Sequence, residues 1–318
     1  MQDFLPPEDV TRVLEGRLGR LHARQRLGME RDHEAQVFGQ GLTFFHIENI
    51  SGSAAAIEAL LRLSGAYWRG RANAAKVELR ENKIASARIP AAFDGFSILH
   101  LSDLHADMSA EAMRRASAII ADLSYDLCVL TGDYRGQTFG PYLPCLQAMR
   151  DLFSTMRGDA YGVLGNHDTI RMAPDLERMG VRILLNEHVE IEREGASIFL
   201  AGVDDAHFYR VDNLEKAAAG IPEGAFSILL SHTPEIYRQA AHAGFDLMLS
   251  GHTHGGQICL PGGVPLTLES YLPRRMGRGA WRYGEMAGYT SAGCGACVVP
   301  VRFNCPPEIT LHRLARLD

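Results

Sequence analysis

The sequence has little of what marks several common protein classes. Six cysteines in 318 residues are too sparse for a disulfide framework. The first ten residues hold Asp3, Glu8, Asp9 and two prolines where a secretory leader would be basic and then apolar, so a reducing, cytoplasmic setting is expected. No apolar run approaches the roughly 20 residues that span a bilayer. The stretch Ala54 to Leu63 is short and is interrupted by Glu58 and Arg62. An excess of positive charge is also missing. Against 38 Asp plus Glu there are 32 Lys plus Arg, a formal charge of -6, which argues against a nucleic-acid scaffold.

What is present suits a folded globular chain: 46% hydrophobic and 22% charged residues. Val10, Leu14, Leu18 and Leu21 recur at helical spacing, with Arg12, Arg17, Arg20, Arg24 and Arg26 on other faces. This predicts one basic amphipathic helix reaching about Met29, either packed on the body or making peripheral contact with a membrane surface. A second helix is expected over Ala54 to Leu63. After about Asn73 short strand-like runs begin, with Lys76 to Arg80 and Lys83 to Ile89 expected as a hairpin around Glu81 and Asn82. The expected organisation is a helical extension over 1–72 and a body over 73–318.

In the body, apolar runs alternate with helical stretches, the pattern of an α/β protein. The runs are Phe96 to Leu101, Leu127 to Thr131, Tyr161 to Leu164, Ile198 to Val203, Phe226 to Leu230 and Leu247 to Leu249. Five of them lead into polar residues: Ser102-Asp103-Leu104-His105, Gly132-Asp133, Gly165-Asn166-His167-Asp168, Ser231-His232 and Gly251-His252-Thr253-His254. The crevice beyond the carboxyl ends of such strands is where α/β sheets bind ligands. Carboxylate, amide and imidazole suit manganese, iron or zinc, and the set holds no cysteine, which speaks against a thiolate-rich structural zinc site. One residue separates Asp103 from His105 and His252 from His254; in extended backbone that spacing turns both side chains to one face. Seven donors are too many for one tetrahedral ion. They suit two ions sharing a carboxylate, an arrangement that serves phosphoester hydrolysis.

The ordered set from Asp103 to His254 resembles the calcineurin-like metallophosphoesterases, and the resemblance extends from about Phe96 to the C-terminus. Gly255-Gly256-Gln257, after His254, is similar to the branch containing small bacterial phosphodiesterases and lipid-precursor pyrophosphatases. The resemblance implies two mixed β-sheets packed face to face with helices outside. It implies two divalent ions, manganese or an iron-containing pair ahead of zinc, one on Asp103, His105 and His254 and the other on Asn166, His232 and His252, bridged by Asp133. It implies attack on phosphorus by a hydroxide between the ions, His167 protonating the leaving oxygen and Asp168 orienting the His167 ring. Relatives with a tyrosinate-bound ferric ion carry tyrosine three residues after the bridging aspartate; Gly136 stands there, so that centre is not expected.

Arg135, beside Asp133, and His207, in the loop 204–210, are candidate substrate contacts. The expected substrate is a small phosphodiester. The alternatives are a nucleotide-linked lipid precursor cleaved at its pyrophosphate on a membrane surface, and a metal-free interaction module of the same fold. Cys294 and Cys297 have CxxC spacing without a second pair or a histidine cluster at zinc-finger spacing, and read as loop or core thiols.

Overall fold

Residues 7–35 and 52–317 are described by the computed structural model. Its first sheet contains β1 (Glu78–Ser86), β2 (Ser97–Leu101), β3 (Leu127–Leu130), β4 (Ala160–Gly162) and β5 (Val181–Ile183), with β14 (Glu308–Arg316) between β1 and β2. Its second sheet runs in the order β12 (Gly279–Tyr283), β13 (Met286–Thr290), β9 (Leu247–Ser250), β8 (Ser227–Leu230), β7 (Ala196–Gly202) and β6 (Glu187–Arg193). A small pair, β10 (Cys259–Leu260) and β11 (Val264–Pro265), lies apart. Both large sheets are mixed. Strands β2 to β5 are parallel, as are β7, β8, β9 and β13, whereas β14 with β2, β6 with β7 and β12 with β13 are antiparallel.

Side-chain alternation builds the layers. Ile98, Val129, Leu200, Ile228 and Leu230 pack together between the sheets. Their chain neighbours Leu99, Leu101, Cys128 and Leu130 face outward into a core shared with α5 (Ala110–Ala121), α6 (Leu143–Thr155) and α7 (Ala173–Arg178). On the other side Leu229 and Met248 pack against α8 (Leu214–Ala218) and α9 (Tyr237–His242). The result is the expected helix–sheet–sheet–helix sandwich, each sheet burying both faces.

Two local expectations are corrected. The N-terminal pattern forms two helices, α1 (Pro7–Leu18) and α2 (Arg20–Ala35), because Gly19 takes a left-handed φ of +83° between them. The break re-phases the apolar face: Val10, Leu14 and Ala23 join the core, while Leu21 is 83% exposed. The helices pack on the body, and Arg12, Arg17, Arg24 and Arg26 all lie in ion pairs with carboxylates of this chain. The expected hairpin at 76–89 is instead the single strand β1, parallel to β14, with Glu81 and Asn82 opposite Leu311 and His312. The pairing partner lies some 230 residues further on, so no turn signal announces it. The helices α3 (Ser53–Leu63) and α4 (Ala66–Ala74) precede β1. No helix among the described residues is long and apolar enough to cross a membrane.

Arg26 ties α2 to the body. Its guanidinium is fully buried over the Tyr209 ring, 3.2 Å from Asp204, 3.0 Å from Glu30, and donates to the Asp168 carbonyl at 3.0 Å. Burial alone would raise the Asp204 carboxyl, but Arg26 holds it below its usual value. Arg26→Met strands that carboxylate in the interior and should cost roughly 3–5 kcal/mol of unfolding free energy in urea titrations at pH 7. An unchanged midpoint would show that Asp204 does not depend on Arg26.

Candidate metal centre

Backbone conformation marks the site. Asp103, His105, Asp133, His252 and His254 all have φ between +39° and +71°. Non-glycine residues adopt this left-handed region rarely and at a cost, and such outliers gather where geometry is functional. The one-residue spacing of the paired donors therefore works differently from the extended backbone expected: tight turns just past the strand ends deliver both side chains. Small residues make the room. A Cβ on Gly165 would lie 2.1 Å from Asp133 Oδ1, and one on Gly251 would lie 2.3 Å from Asp103 Oδ2.

The seven expected donors come together and are all buried. Asp133 Oδ2 lies 3.3 Å from His232 Nε2 and 3.8 Å from His105 Nε2, and its Oδ1 accepts from the His167 amide at 2.9 Å. Asn166 Oδ1 is 2.9 Å from His232 Nε2. His254 Nε2 is 3.1 Å from His105 Nε2 and 3.5 Å from Asp103 Oδ1. Donor atoms of Asp103, His105 and Asp133 lie within 4.8 Å of one another, and so do those of Asp133, His232 and His252. Asp133 is common to both groups. Buried, convergent oxygen and nitrogen donors of this kind fit divalent ions.

The far sides of the rings are also set. His105 Nδ1 meets the Arg135 carbonyl at 2.8 Å, His232 Nδ1 the Thr131 carbonyl at 2.7 Å, and His252 Nε2 the Glu269 carbonyl at 2.8 Å. A carbonyl only accepts, so each of these nitrogens carries a proton; the neutral His105 and His252 rings turn a lone pair toward the centre, and His232 does so once its second proton is displaced. His254 Nδ1 instead faces the buried Arg302 guanidinium at 3.1 Å.

Burial governs the charges. It pushes Asp103 up to about 6 and His105 down to about 4. His252 and His254 fall well below the usual histidine range, through burial and then through neighbouring His207 and His105 respectively. Burial would also lower His232, but the facing Asp133 carboxylate outweighs it and lifts His232 to about 10. Asp133 is correspondingly held well below its normal value: burial raises it, and His232 and His167 more than offset that.

Three other expected residues take different places. Asp168 does not orient the His167 ring; its carboxylate accepts from the amides of Asp133, Tyr134 and Gly165 at 2.8–2.9 Å and so shapes the loops beneath the donors. The ring of His167 has Thr138 Oγ1 at 3.2 Å from its Nδ1. Arg135 is not open to substrate: it is buried and its guanidinium donates to the carbonyls of Thr138, Gly140 and His167. His207 packs its ring 4.2 Å from that of His252 and pairs with Glu235 at 3.0 Å, behind the donors. The sequence reading missed Cys297, whose Sγ lies 3.5 Å from His167 Nε2.

A cavity of about 290 Å³ opens over Asp133, Asn166, His167 and His254. Its outer wall is apolar, built from Ile57 of α3, Ile258, Leu266, Val298 and Val299.

The model of the calcineurin-like phosphoesterase family matches residues 96–256. The uncharacterized metallophosphoesterase YkoQ of Bacillus subtilis (strain 168) is 30% identical over 231 residues, 69% of this chain and 83% of its own length. Phosphodiesterase YaeI of Escherichia coli (strain K12) is 28% identical over 235 residues, covering 69% of this chain and 82% of YaeI. A transmembrane protein with metallophosphoesterase domain from Danio rerio is 29% identical over 247 residues, 72% of this chain and 55% of that protein.

Proposed function

Because this chain belongs to the calcineurin-like phosphoesterases, we propose that its buried donors hold two divalent ions and that it hydrolyses phosphodiesters. The observation that carries this reading is the position of Asp133 in two donor groups at once. One ion would take Asp103, His105 and His254, and the other Asn166, His232 and His252, with Asp133 between them. Bound there, the ions supply Lewis-acid stabilisation of phosphoryl oxygens and a nucleophile drawn from water at neutral pH. The chain supplies the proton for the leaving oxygen from His167, whose ring lines the cavity, and its carbonyls fix the ligand tautomers. The name of YaeI agrees with a diester substrate.

Manganese-reconstituted protein should release nitrophenolate from bis(p-nitrophenyl) phosphate, and chelator-stripped protein should not. Equal rates in both would remove the metal from the reaction.

Metal loading should be linked to pH. At pH 7 Asp103 and Asp133 are ionised and His105, His252 and His254 are neutral, so among the histidine ligands only His232, at about 10, holds a proton that an ion must displace. Calorimetry in buffers of different ionisation enthalpy should therefore count at least the one His232 proton released per protein at pH 7, with any further release coming from water or thiol bound at the ions. Apparent affinity should climb with pH until His232 deprotonates near 10. A buffer-independent heat at pH 7 contradicts this.

The apolar wall favours a second reading, a pyrophosphatase acting on a nucleotide-linked lipid. Leu60 and Leu63, on the same helix as Ile57, are 69% and 87% exposed. On that reading an acylated substrate in micelles has a higher kcat/KM than the small diester, and Ile57→Asp lowers only the former. A metal-free interaction module would tolerate loss of donors, and none of the seven is missing.

A further inference from the structure

Cys297 is the one cysteine of six that is not buried, and it lines the cavity over the donors. Its Sγ and the ligand nitrogens of His105 and His254 all lie within 4.8 Å of one another, forming a third donor group that shares His105 with the first. A thiolate and an imidazole on one ion can stand up to roughly 4.4 Å apart, the sum of their bond lengths, so a small closure brings all three onto one ion.

The loop that carries the thiol is held in place against strain. Gln257, three residues past His254, accepts from the Cys297 amide at 2.8 Å through Oε1 and donates through Nε2 to the carbonyls of Cys297 at 2.8 Å and Val299 at 3.2 Å. Between them Val298, a β-branched residue, sits at φ +63°, and Gln257 itself is at +51°. Strained residues of this kind persist only where the surroundings over-determine them. The sulfur also lies 3.5 Å from His167 Nε2.

We propose that the Cys297 thiolate is a further ligand of the ion held by Asp103, His105 and His254, and that Gln257 positions it. The inference rests on the two-ion reading. A thiolate moves the preference of that position away from manganese and toward zinc, cobalt or ferrous iron, which bind sulfur better. Cys297 is then a specificity-determining residue for the metal.

Cobalt(II) added to the metal-free protein tests this without reference to turnover. Visible d–d absorption reports cobalt in any ligand set, whereas near-ultraviolet sulfur-to-cobalt charge transfer requires a thiolate. The unaltered protein should show both, and Cys297→Ser should keep the visible bands and lose the charge transfer. Visible bands without charge transfer in the unaltered protein overturn the role of Cys297 and leave the ion site standing. No visible bands at all overturn the two-ion reading and this inference with it. Alkylation by iodoacetamide, located by mass spectrometry, decides independently of any variant: Cys297 should react in the metal-free protein and be protected by zinc. Equal reaction with and without zinc overturns the proposal.

Discussion

Replacing His167 by alanine is expected to cut kcat on a diester with a poor alkoxide leaving group by about 10²- to 10⁴-fold while the bound metal stays unchanged. The separation of the two effects follows from which atoms do what. The contribution of His167 to the donor set is its backbone amide, which donates to Asp133 Oδ1 at 2.9 Å and survives the substitution. The ring is the part that is lost. Thr138 Oγ1, 3.2 Å from Nδ1, can accept Nδ1–H of the protonated ring, which leaves the Nε2 proton of a ring that lines the cavity to be given to the departing oxygen. A proton donor matters most when the departing oxygen is basic, so the loss on bis(p-nitrophenyl) phosphate should be much smaller, and KM should change little on either substrate. Kinetics on both substrates with metal analysis of the same samples check this. Equal losses on the two would make His167 a stabiliser of transition-state charge and not a proton donor, and loss of metal would make it a ligand. Thr138→Val should reproduce part of the selective loss.

How far such roles can be read ahead of a structure depends on where their cause lies. The donors were legible because each directly follows a short apolar strand, and strands at the centre of an α/β sandwich carry their own signal: Leu127–Leu130 and Ser227–Leu230 are buried throughout. Their backbone was not legible. Nothing in the pattern Asp103-Leu104-His105 distinguishes an extended pair from one held at positive φ by glycine contacts from distant segments. Arg135 was misread for a related reason. An arginine beside an acidic donor suggests a phosphate contact, but here the carbonyls of 138, 140 and 167 converge on it and occupy its guanidinium. Cys297 was missed because its loop reaches the centre through Gln257, forty residues away, and not through any local motif. The partner of β1 escaped for want of a turn, since its pairing closes nearly the whole length of the body.

Asp133→Asn should remove more from the centre than loss of any terminal ligand, leaving at most one of the two ions bound and lowering turnover by about 10³-fold or more. Removing a bridge withdraws charge from both ions at once; losing about 4 kcal/mol of that stabilisation, within the several kcal/mol a Lewis-acid centre supplies, is a factor of about 10³. Asparagine keeps an oxygen to accept from the His167 amide, so the loop can hold its shape while the charge is gone. His252→Ala, by contrast, takes one donor from one group and should leave the ion on Asp103, His105 and His254 in place. The two variants thus differ in metal stoichiometry, which elemental analysis reads without reference to activity. The metal-free proteins should differ as well. His232 stands at about 10 because the Asp133 carboxylate, 3.3 Å away, outweighs the burial that would lower it. Once that charge is removed, burial prevails and the ring is neutral at pH 7, so the His232 contribution to proton release on metal loading should vanish in Asp133→Asn and persist in His252→Ala. If Asp133→Asn still binds two ions and releases as many protons as the unaltered protein, Asp133 is neither the bridge nor the group that holds His232 charged.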